Sequence, residues 1–348
     1  MSLTPADKLT GVLPVVISGG RPQLRQRTTA RFLSDLHGIT ADPVWVVMDK
    51  DAVSYEGDGH EIATYPRGWA EEYAAAHWTA LRPPEPGGFL GAFPGREYAC
   101  RLAEERGHWA VLQLDDNIDR LDCFRRTPAG KRIAAFHGGM GMFADVLTAV
   151  TLSTNGCMTG AFLGSVSPAR KLRVSRIGFP YSLFLERTGP GREHWYGPFE
   201  DDITHAYQYG GGAAPGTALV VPALVYHKEN TSKSGMRAKY NSERSVALQR
   251  MFPETASIGV RKAHSNGEGA PRVFHKMGRG AIRTPMVITD HSLYSTVASQ
   301  IRSLAEEFSG MAQQDVRARV NRRASRSLSS PGRDQSNGQA PSHHAREG

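Results

Sequence analysis

The chain has 348 residues, 40% of them hydrophobic and 8% aromatic, which is enough for one large core or two modest ones. No stretch approaches the roughly 20 apolar residues of a membrane span, and the N-terminus lacks the basic-then-apolar pattern of a secretory signal. The three cysteines have no CxxC spacing, which predicts a reducing, cytoplasmic setting and no structural zinc.

The net charge of +8 is distributed unevenly. Residues 310–348 carry seven arginines against three acids, or +4, and residues 228–262 carry eight lysines and arginines against three acids, or +5, which leaves −1 for the remainder. The terminal segment is rich in Arg, Ser, Gly and Gln and cannot bury apolar surface, so we predict a disordered basic tail. The internal segment indicates a polyanionic partner within the fold.

Short apolar runs alternate with helical patterns, which predicts an α/β fold with a mostly parallel central sheet flanked by helices. The first run, residues 12–17, ends in a loop that contains Gly19, Gly20 and Arg21. The glycines would let the backbone approach a nucleotide, and Arg21 could hold a base or a phosphate. An ordinary turn with a solvated arginine is the alternative.

A helix over residues 24–36 and a strand over residues 44–48 follow, and the strand ends at Asp49. Residues 60–65 predict a third strand, residues 69–78 a helix, and the Pro- and Gly-rich residues 82–95 a loop. Neither a GxGxxG fingerprint nor a Walker lysine loop occurs, which argues against a dinucleotide-binding or P-loop enzyme.

The most informative stretch reads as a helix opened by Arg96, a stop at Gly107, an apolar strand and an acidic tip. The strand ends in Asp115, Asp116 and Asn117, at the edge where open α/β sheets bind ligands. Carboxylate and amide oxygens suit Mg²⁺ or Mn²⁺, which would sit on a diphosphate. Because Asp and Asn also end strands simply by forming turns, a plain turn remains the alternative.

Beyond the tip, periodicity predicts a core helix over residues 140–152, strands over residues 161–166 and 181–185, and a solvated strand edge over residues 170–176. Glu200, Asp201 and Asp202 then open a helix, where acids are stabilised by the helix dipole or act as caps. An apolar strand over residues 217–226 leads into a basic loop, and a last amphipathic helix is predicted over residues 295–308.

The helix, glycine, strand and Asp-Asp-Asn tip resemble the GT-A glycosyltransferases, whose tip is of the Asp-x-Asp type. The resemblance implies that the second acidic cluster supplies a catalytic base, for which Asp202 is preferred to Asp201. It implies a metal site and a nucleotide-sugar site as well. The implied metal ligands are Asp115, Asp116 and Asn117 with His227, or His275 in its place, and the implied donor contacts are Gly19, Gly20, Arg21, Asp49, Arg96, Asp115, Lys228 and Arg237.

The segments SGGRP, LQLDDNID, FEDD and HKENTSKSGMR together are similar to the TET-associated glycosyltransferases. That branch includes phage proteins and the enzyme that glucosylates hydroxymethyluracil to make base J. The resemblance, over about residues 12–262, implies metal-dependent, inverting transfer from a UDP-sugar such as UDP-glucose to 5-hydroxymethylpyrimidine in double-stranded DNA, in the host cytoplasm if a phage encodes the chain.

Two alternatives to this function remain open. The same fold could act on a glycan, a protein or a small molecule, or it could be a non-catalytic nucleic-acid-binding domain. For the domain organisation, we expect a nucleotide-sugar half over residues 1–118, an acceptor half of the same domain over residues 119–309, and the tail from residue 310.

Overall fold

The computed structural model describes residues 2–24, 28–56, 59–126, 132–135, 139–164, 173–211, 216–229, 243–261, 272–277 and 284–304. The predicted tail from residue 310 lies outside these ranges, as does Arg237. The described residues form a ten-stranded sheet and a separate two-stranded sheet. Among them, no helix combines the length and the apolar character that crossing a bilayer requires.

The strands are β1 (Val12–Ile17), β2 (Val44–Met48), β3 (Glu61–Tyr65), β4 (Ala110–Asp115), β5 (Ile118–Arg126), β6 (Arg132–Ala135), β7 (Gly156–Leu163), β8 (Arg176–Ile177), β9 (Leu183–Arg187), β10 (Thr217–Lys228), β11 (Ala256–Arg261) and β12 (Arg272–Met277). The α-helices are α1 (Ala6–Thr10), α2 (Arg67–His77), α3 (Phe93–Glu105), α4 (Met140–Ser153), α5 (Asp201–Gly211), α6 (Glu243–Met251) and α7, residues 291–304. Three 3-10 helices cover Pro22–Leu24, Thr28–Leu36 and Asp49–Tyr55.

The α/β class with a mostly parallel, helix-flanked sheet is confirmed. The strand order is β3-β2-β1-β4-β9-β7-β10-β5-β6, with β8 also paired to β10. The pairings of β1 with β2 and β4, of β2 with β3, and of β7 with β10 are parallel. Strands β5, β8 and β9 run against their neighbours, so seven of the ten described strands share one direction.

This topology places several chain segments at one edge of the sheet. The carboxyl ends of β1, β2, β3, β4 and β10 meet there because these strands are parallel. Strand β9 runs the other way, so its first residue, rather than its last, lies at the same edge. Ligands of α/β sheets bind beyond this edge.

The sheet is buried on both faces, which explains the unbroken apolar runs of β1, β2 and β4. On one face Phe143 and Leu147 of α4 pack with the 3-10 helix Thr28–Leu36. On the other face Phe93 and Leu102 of α3 pack with α2 and α5. At about 1.5–3 kcal/mol for each fully buried large apolar side chain, these two layers dominate the stability of the fold.

Several element boundaries differ from the sequence predictions for physical reasons. Helix α3 begins at Phe93 rather than Arg96, because Pro94 is tolerated in a first helical turn. The helix does stop before Gly107, which takes a φ of +74°. Strand β7 begins at Gly156, five residues before the predicted start, and its two glycines disguised it as a turn. Strands β5, β11 and β12 were not predicted, and the segment 28–36 is a 3-10 helix.

Candidate functional site

A cleft of about 540 Å³ opens at the carboxyl edge of the sheet. Its walls come from the loops after β1, β2 and β3, the start of α3, the tip of β4, the residue before β9, the start of α5 and the end of β10. Eleven charged side chains line it, six basic and five acidic: Arg21, Lys50, Arg67, Arg96, Lys228 and Arg244 against Asp51, Asp115, Glu200, Asp201 and Asp202.

Asp115, the last residue of β4, sits between two cations. Its Oδ1 accepts from Arg96 Nη2 at 2.9 Å, and its Oδ2 accepts from Lys228 Nζ at 2.5 Å. Burial alone would raise the pKa of Asp115, but Lys228 and Arg96 hold it well below its usual range. Asp115 is therefore an anion fixed at the floor of the cleft.

Asp116 turns away from the cleft into the protein. Its side chain is fully buried, Oδ2 accepts from Ser18 Oγ at 2.6 Å, and Oδ1 lies 2.7 Å from Arg21 Nη2. Burial raises the pKa of Asp116 to about 6, against the opposing effect of Arg21. Its role in this structure is to tie the loop after β1 to the tip of β4.

The second acidic cluster is joined to the first through one guanidinium. Arg96 Nε donates to Asp201 Oδ2 at 2.9 Å while its Nη2 donates to Asp115, and its side chain is only 4% exposed. Two clusters 86 residues apart (201−115) thus meet in the cleft. Glu200 forms an ion pair with Arg244 of α6.

Asp202 differs from the other cleft acids. Its Oδ1 accepts from the backbone N of Ile203 at 2.9 Å, and no ion pair to it occurs among the described residues. Burial, together with the carboxylates of Asp201 and Glu200, raises the pKa of Asp202 well above its ordinary value. A carboxylate in this state takes up a proton readily.

A buried polar network beneath the cleft holds both clusters in place. Glu186 of β9 is fully buried and bonds His205 Nε2 at 2.6 Å and Gln113 Nε2 at 3.1 Å. Gln113 Oε1 in turn accepts from Arg96 Nη1 at 3.4 Å. Because His205 lies one turn after Asp201 on α5, the network connects the helix of the acids to the strand of Asp115.

Sequence reasoning missed this network, although signals for it exist. Gln113 is a polar residue inside an otherwise apolar strand, and such a local conflict often marks a functional or strained place. His205 lies four residues after Asp201, on the same helix face. Ser182, which also lines the cleft, carries no signal in the sequence.

The remaining predicted donor contacts lie at or near the cleft. Gly19, Gly20 and Arg21 line it, and a Cβ on either glycine would meet no atom within 4 Å. Asp49 accepts from the backbone N of Lys50 at 2.7 Å and of Arg67 at 3.3 Å. These roles stay predictions.

The predicted late histidines lie elsewhere. His227 Nε2 is 2.8 Å from Asp122 Oδ2 and 2.9 Å from Arg120 Nη2, while its neighbour Lys228 reaches Asp115. A register shift between His227 and Lys228 in the pairing with β5 accompanies this arrangement. The backbone of His275 belongs to β12 of the separate two-stranded sheet.

The four predicted metal ligands do not form one set as they are arranged here. Of the tip residues only Asp115 lines the cleft, because Asp116 is buried and Asn117 Nδ2 donates inward to the carbonyl of Glu229 at 3.0 Å. Within the described ranges, no group of three or more His, Cys, Asp or Glu side chains is placed to hold a metal ion. The described residues are therefore not preassembled as a metal site.

Comparisons with known proteins give structural likenesses only. No protein-family model and no curated protein matches the chain. The solved structures that resemble it include one described as a mycobacterial protein, with 11% identity over 80% of this chain and 92% of that one, at a TM-score of 0.44.

Two further likenesses are to enzymes. Glucosyl-3-phosphoglycerate synthase from Mycobacterium tuberculosis, solved with Mn²⁺, UDP-glucose and phosphoglyceric acid, shares 10% identity over 78% of this chain and 91% of that one, at a TM-score of 0.44. Mannosyl-3-phosphoglycerate synthase from Rubrobacter xylanophilus shares 11% over 79% and 89%, at a TM-score of 0.38. The function proposed below rests on the side chains of the cleft and not on these likenesses.

Proposed function

We propose that this chain is an inverting glycosyltransferase that moves a sugar from a nucleotide sugar, such as a UDP-sugar, to a hydroxyl acceptor. The observation that carries the proposal is the bridge formed by Arg96. Arg96 bonds both Asp115, which lies between two cations, and Asp201, which is next to Asp202 with its raised pKa. The two acidic clusters therefore meet in one cleft, beyond the carboxyl edge of an α/β sheet.

Asp202 is the proposed general base. The acceptor hydroxyl oxygen attacks the anomeric carbon, the bond from that carbon to the diphosphate oxygen breaks, and the hydroxyl proton moves to the Asp202 carboxylate. The bonding electron pair leaves with the nucleoside diphosphate, and a single displacement inverts the anomeric centre. The raised pKa of Asp202 suits this role, because a general base works best when its pKa lies near the operating pH.

The cations at the floor and rim of the cleft are the proposed partners of the leaving diphosphate. Lys228 and Arg96 pair with Asp115, Arg21 pairs with Asp116, and all three cations line the cleft. Positive charge fixed before the reaction stabilises the anion that develops as the diphosphate departs. The Mn²⁺ or Mg²⁺ expected from the sequence stays a prediction, with Asp115 as the one tip residue that faces the cleft.

For the acceptor we propose 5-hydroxymethylpyrimidine in double-stranded DNA. The support is the resemblance of the motifs and the +5 charge of residues 228–262, because phosphate contacts dominate affinity for DNA. In the described part of that segment, Arg244 lines the cleft and Arg250 is exposed on the same helix, α6.

The test is turnover of a panel of nucleotide sugars by the full chain, with and without EDTA, in the presence of hydroxymethylated or plain duplex DNA. We expect transfer only to the hydroxymethylated duplex, with binding that weakens as salt rises. Turnover with glycan, protein or small-molecule hydroxyls, and no DNA binding at low salt, would replace the acceptor. DNA binding with neither hydrolysis nor transfer of any nucleotide sugar would instead favour a non-catalytic binding domain.

A further inference from the structure

Two of the three residues with a strained, left-handed backbone in the described part of the chain line the cleft. These three residues, none of them glycine, have a positive φ: Thr28 (60°), Ser182 (51°) and Glu200 (47°). Thr28 Oγ1 donates to the carbonyl of Asp116 at 2.6 Å, and Glu200 immediately precedes α5 and pairs with Arg244. Side chains disfavour this left-handed region, and residues held in it cluster at functional sites.

Ser182 is one of these three strained residues. It directly precedes β9, is only 4% exposed, and lines the cleft. Its carbonyl accepts from the backbone N of Asp115 at 2.8 Å, and its Oγ accepts from Lys228 Nζ at 2.8 Å. The same ammonium lies 2.5 Å from Asp115 Oδ2, so Ser182 contacts both members of the central ion pair.

A glycine would serve the backbone better at this position. Glycine adopts a positive φ without strain and keeps the carbonyl that accepts from Asp115. What glycine lacks is the hydroxyl, which accepts from the Lys228 ammonium and helps to hold down the pKa of Asp115. Serine at this position therefore accepts backbone strain and in return places a hydroxyl beside Lys228.

We propose that Ser182 is a positioning residue whose hydroxyl holds the Lys228 ammonium at the floor of the cleft, directed at the diphosphate that leaves the donor. This inference rests on the function proposed above. A lysine side chain has four rotatable bonds. Two fixed acceptors, Asp115 and Ser182, restrict the conformations of Lys228 before substrate arrives. Charge on the leaving diphosphate grows in the transition state, so loss of this restriction lowers kcat more than it raises KM for the donor.

The experiment compares Ser182→Ala and Ser182→Gly, which both remove the hydroxyl but differ in backbone strain. The control is Ser175→Ala, because Ser175 is equally buried but bonds Tyr294 and Met286 away from the cleft. Measurements are Tm, kcat and donor KM for each variant, and the affinity for inorganic pyrophosphate by calorimetry. Lys228→Met is measured alone and together with Ser182→Ala.

We expect both Ser182 variants to lose about tenfold in kcat, while Ser175→Ala keeps the wild-type kcat. Ser182→Gly should melt roughly 2 °C above Ser182→Ala, because glycine relieves the left-handed strain. In the Lys228→Met background, Ser182→Ala should cause no further loss. A wild-type kcat in the correctly folded Ser182→Gly protein, or losses that multiply in the double variant, would overturn the proposal.

Failure of the proposed function gives a different result. It would appear as no turnover of any nucleotide sugar by the wild type, and the pyrophosphate titration then still decides the role of Ser182. Affinity several-fold weaker in both Ser182 variants than in Ser175→Ala supports the positioning role, and equal affinity refutes it.

Discussion

Each of the two acidic clusters places an aspartate in the cleft, and the two aspartates have opposite electrostatic surroundings. At the tip of β4, Lys228 and Arg96 enclose Asp115 and depress its pKa despite its burial. At the start of α5, the half-buried Asp202 lies beside two more carboxylates, and its pKa rises well above the ordinary value. Two carboxyl groups whose surroundings drive their pKa values apart are suited to different tasks, one to remain charged and the other to exchange a proton.

The largest expected effect follows from removing the proposed proton acceptor. Asp202→Asn should lower kcat by about 10³-fold, because general-base catalysis contributes roughly 10²–10⁴-fold. Steady-state transfer assays at neutral pH measure this. Asp145→Asn is the matched control, because Asp145 binds the backbone of Leu3 and Thr4 far from the cleft. A kcat for Asp202→Asn within tenfold of the wild type would exclude Asp202 as the base.

Substitutions in the two clusters should change the free energy of unfolding in opposite directions. Asp115→Asn removes the carboxylate that the buried Arg96 and the half-buried Lys228 share, and it should lower the free energy of unfolding by about 3 kcal/mol at pH 7. Asp202→Asn should raise it, because a carboxylate whose pKa is raised by folding costs folding free energy once the pH exceeds its unfolded-state pKa. Urea denaturation of the two variants measures both changes, and changes of the same sign would contradict the contrast.

The contributions of Asp115 and Asp202 to stability should depend on pH in opposite ways. The folded-state pKa of Asp115 is depressed, so its stabilisation is present above the unfolded-state pKa and is lost as the pH falls. The folded-state pKa of Asp202 is raised, so its contribution becomes unfavourable as the pH rises above the ordinary carboxylate range. The destabilisation by Asp115→Asn should therefore shrink in acid, and the stabilisation by Asp202→Asn should vanish there.

A smaller effect concerns the pH profile of catalysis. The rate should fall on the acid side as Asp202 becomes protonated, and the Glu200 carboxylate is one cause of the raised pKa. Glu200→Gln removes that negative charge and should move the acidic limb of kcat to lower pH. A limb that stays in place while kcat persists would show that another group controls it.

The smallest expected effect tests the predicted donor loop. A Cβ on Gly19 meets nothing within 4 Å, so Gly19→Ala should leave the Tm unchanged. If a nucleotide approaches this backbone, the methyl group should raise the donor KM by about fivefold, or roughly 1 kcal/mol. Gly68→Ala is the control, because it is exposed on α2 with the same open space. An unchanged KM would remove Gly19 from the donor site.

Much of the fold follows from the sequence because its signals are local. The apolar runs of β1, β2 and β4 are long enough to identify buried strands, and Gly107 ends α3 where a left-handed residue is needed. Strand β5 was not predicted, because its acidic and basic residues obscure the pattern of its buried positions Ile118, Leu121 and Cys123. Periodicity reports burial, and a strand with charged residues gives a weak signal.

Which side chains enter the site depends on strand register and on long-range contacts, and the local sequence does not reveal either. The face of a strand on which a side chain lies alternates with every residue, so an irregularity between His227 and Lys228 decides which of them meets Asp115. The inward turn of Asp116 likewise depends on Ser18 and Arg21, about a hundred residues earlier in the chain. Strain at Ser182 has no sequence signature, because serine is an unremarkable residue before a strand.

The length of β10 has a consequence for changing this protein. A one-residue insertion just before His227 would move the imidazole of His227 into the position that the Lys228 ammonium now holds beside Asp115, without any substitution at the cleft itself. The kind of cation that the cleft presents to its substrate is thus set by counting along a strand, and frame-preserving indels there are a direct way to engineer it.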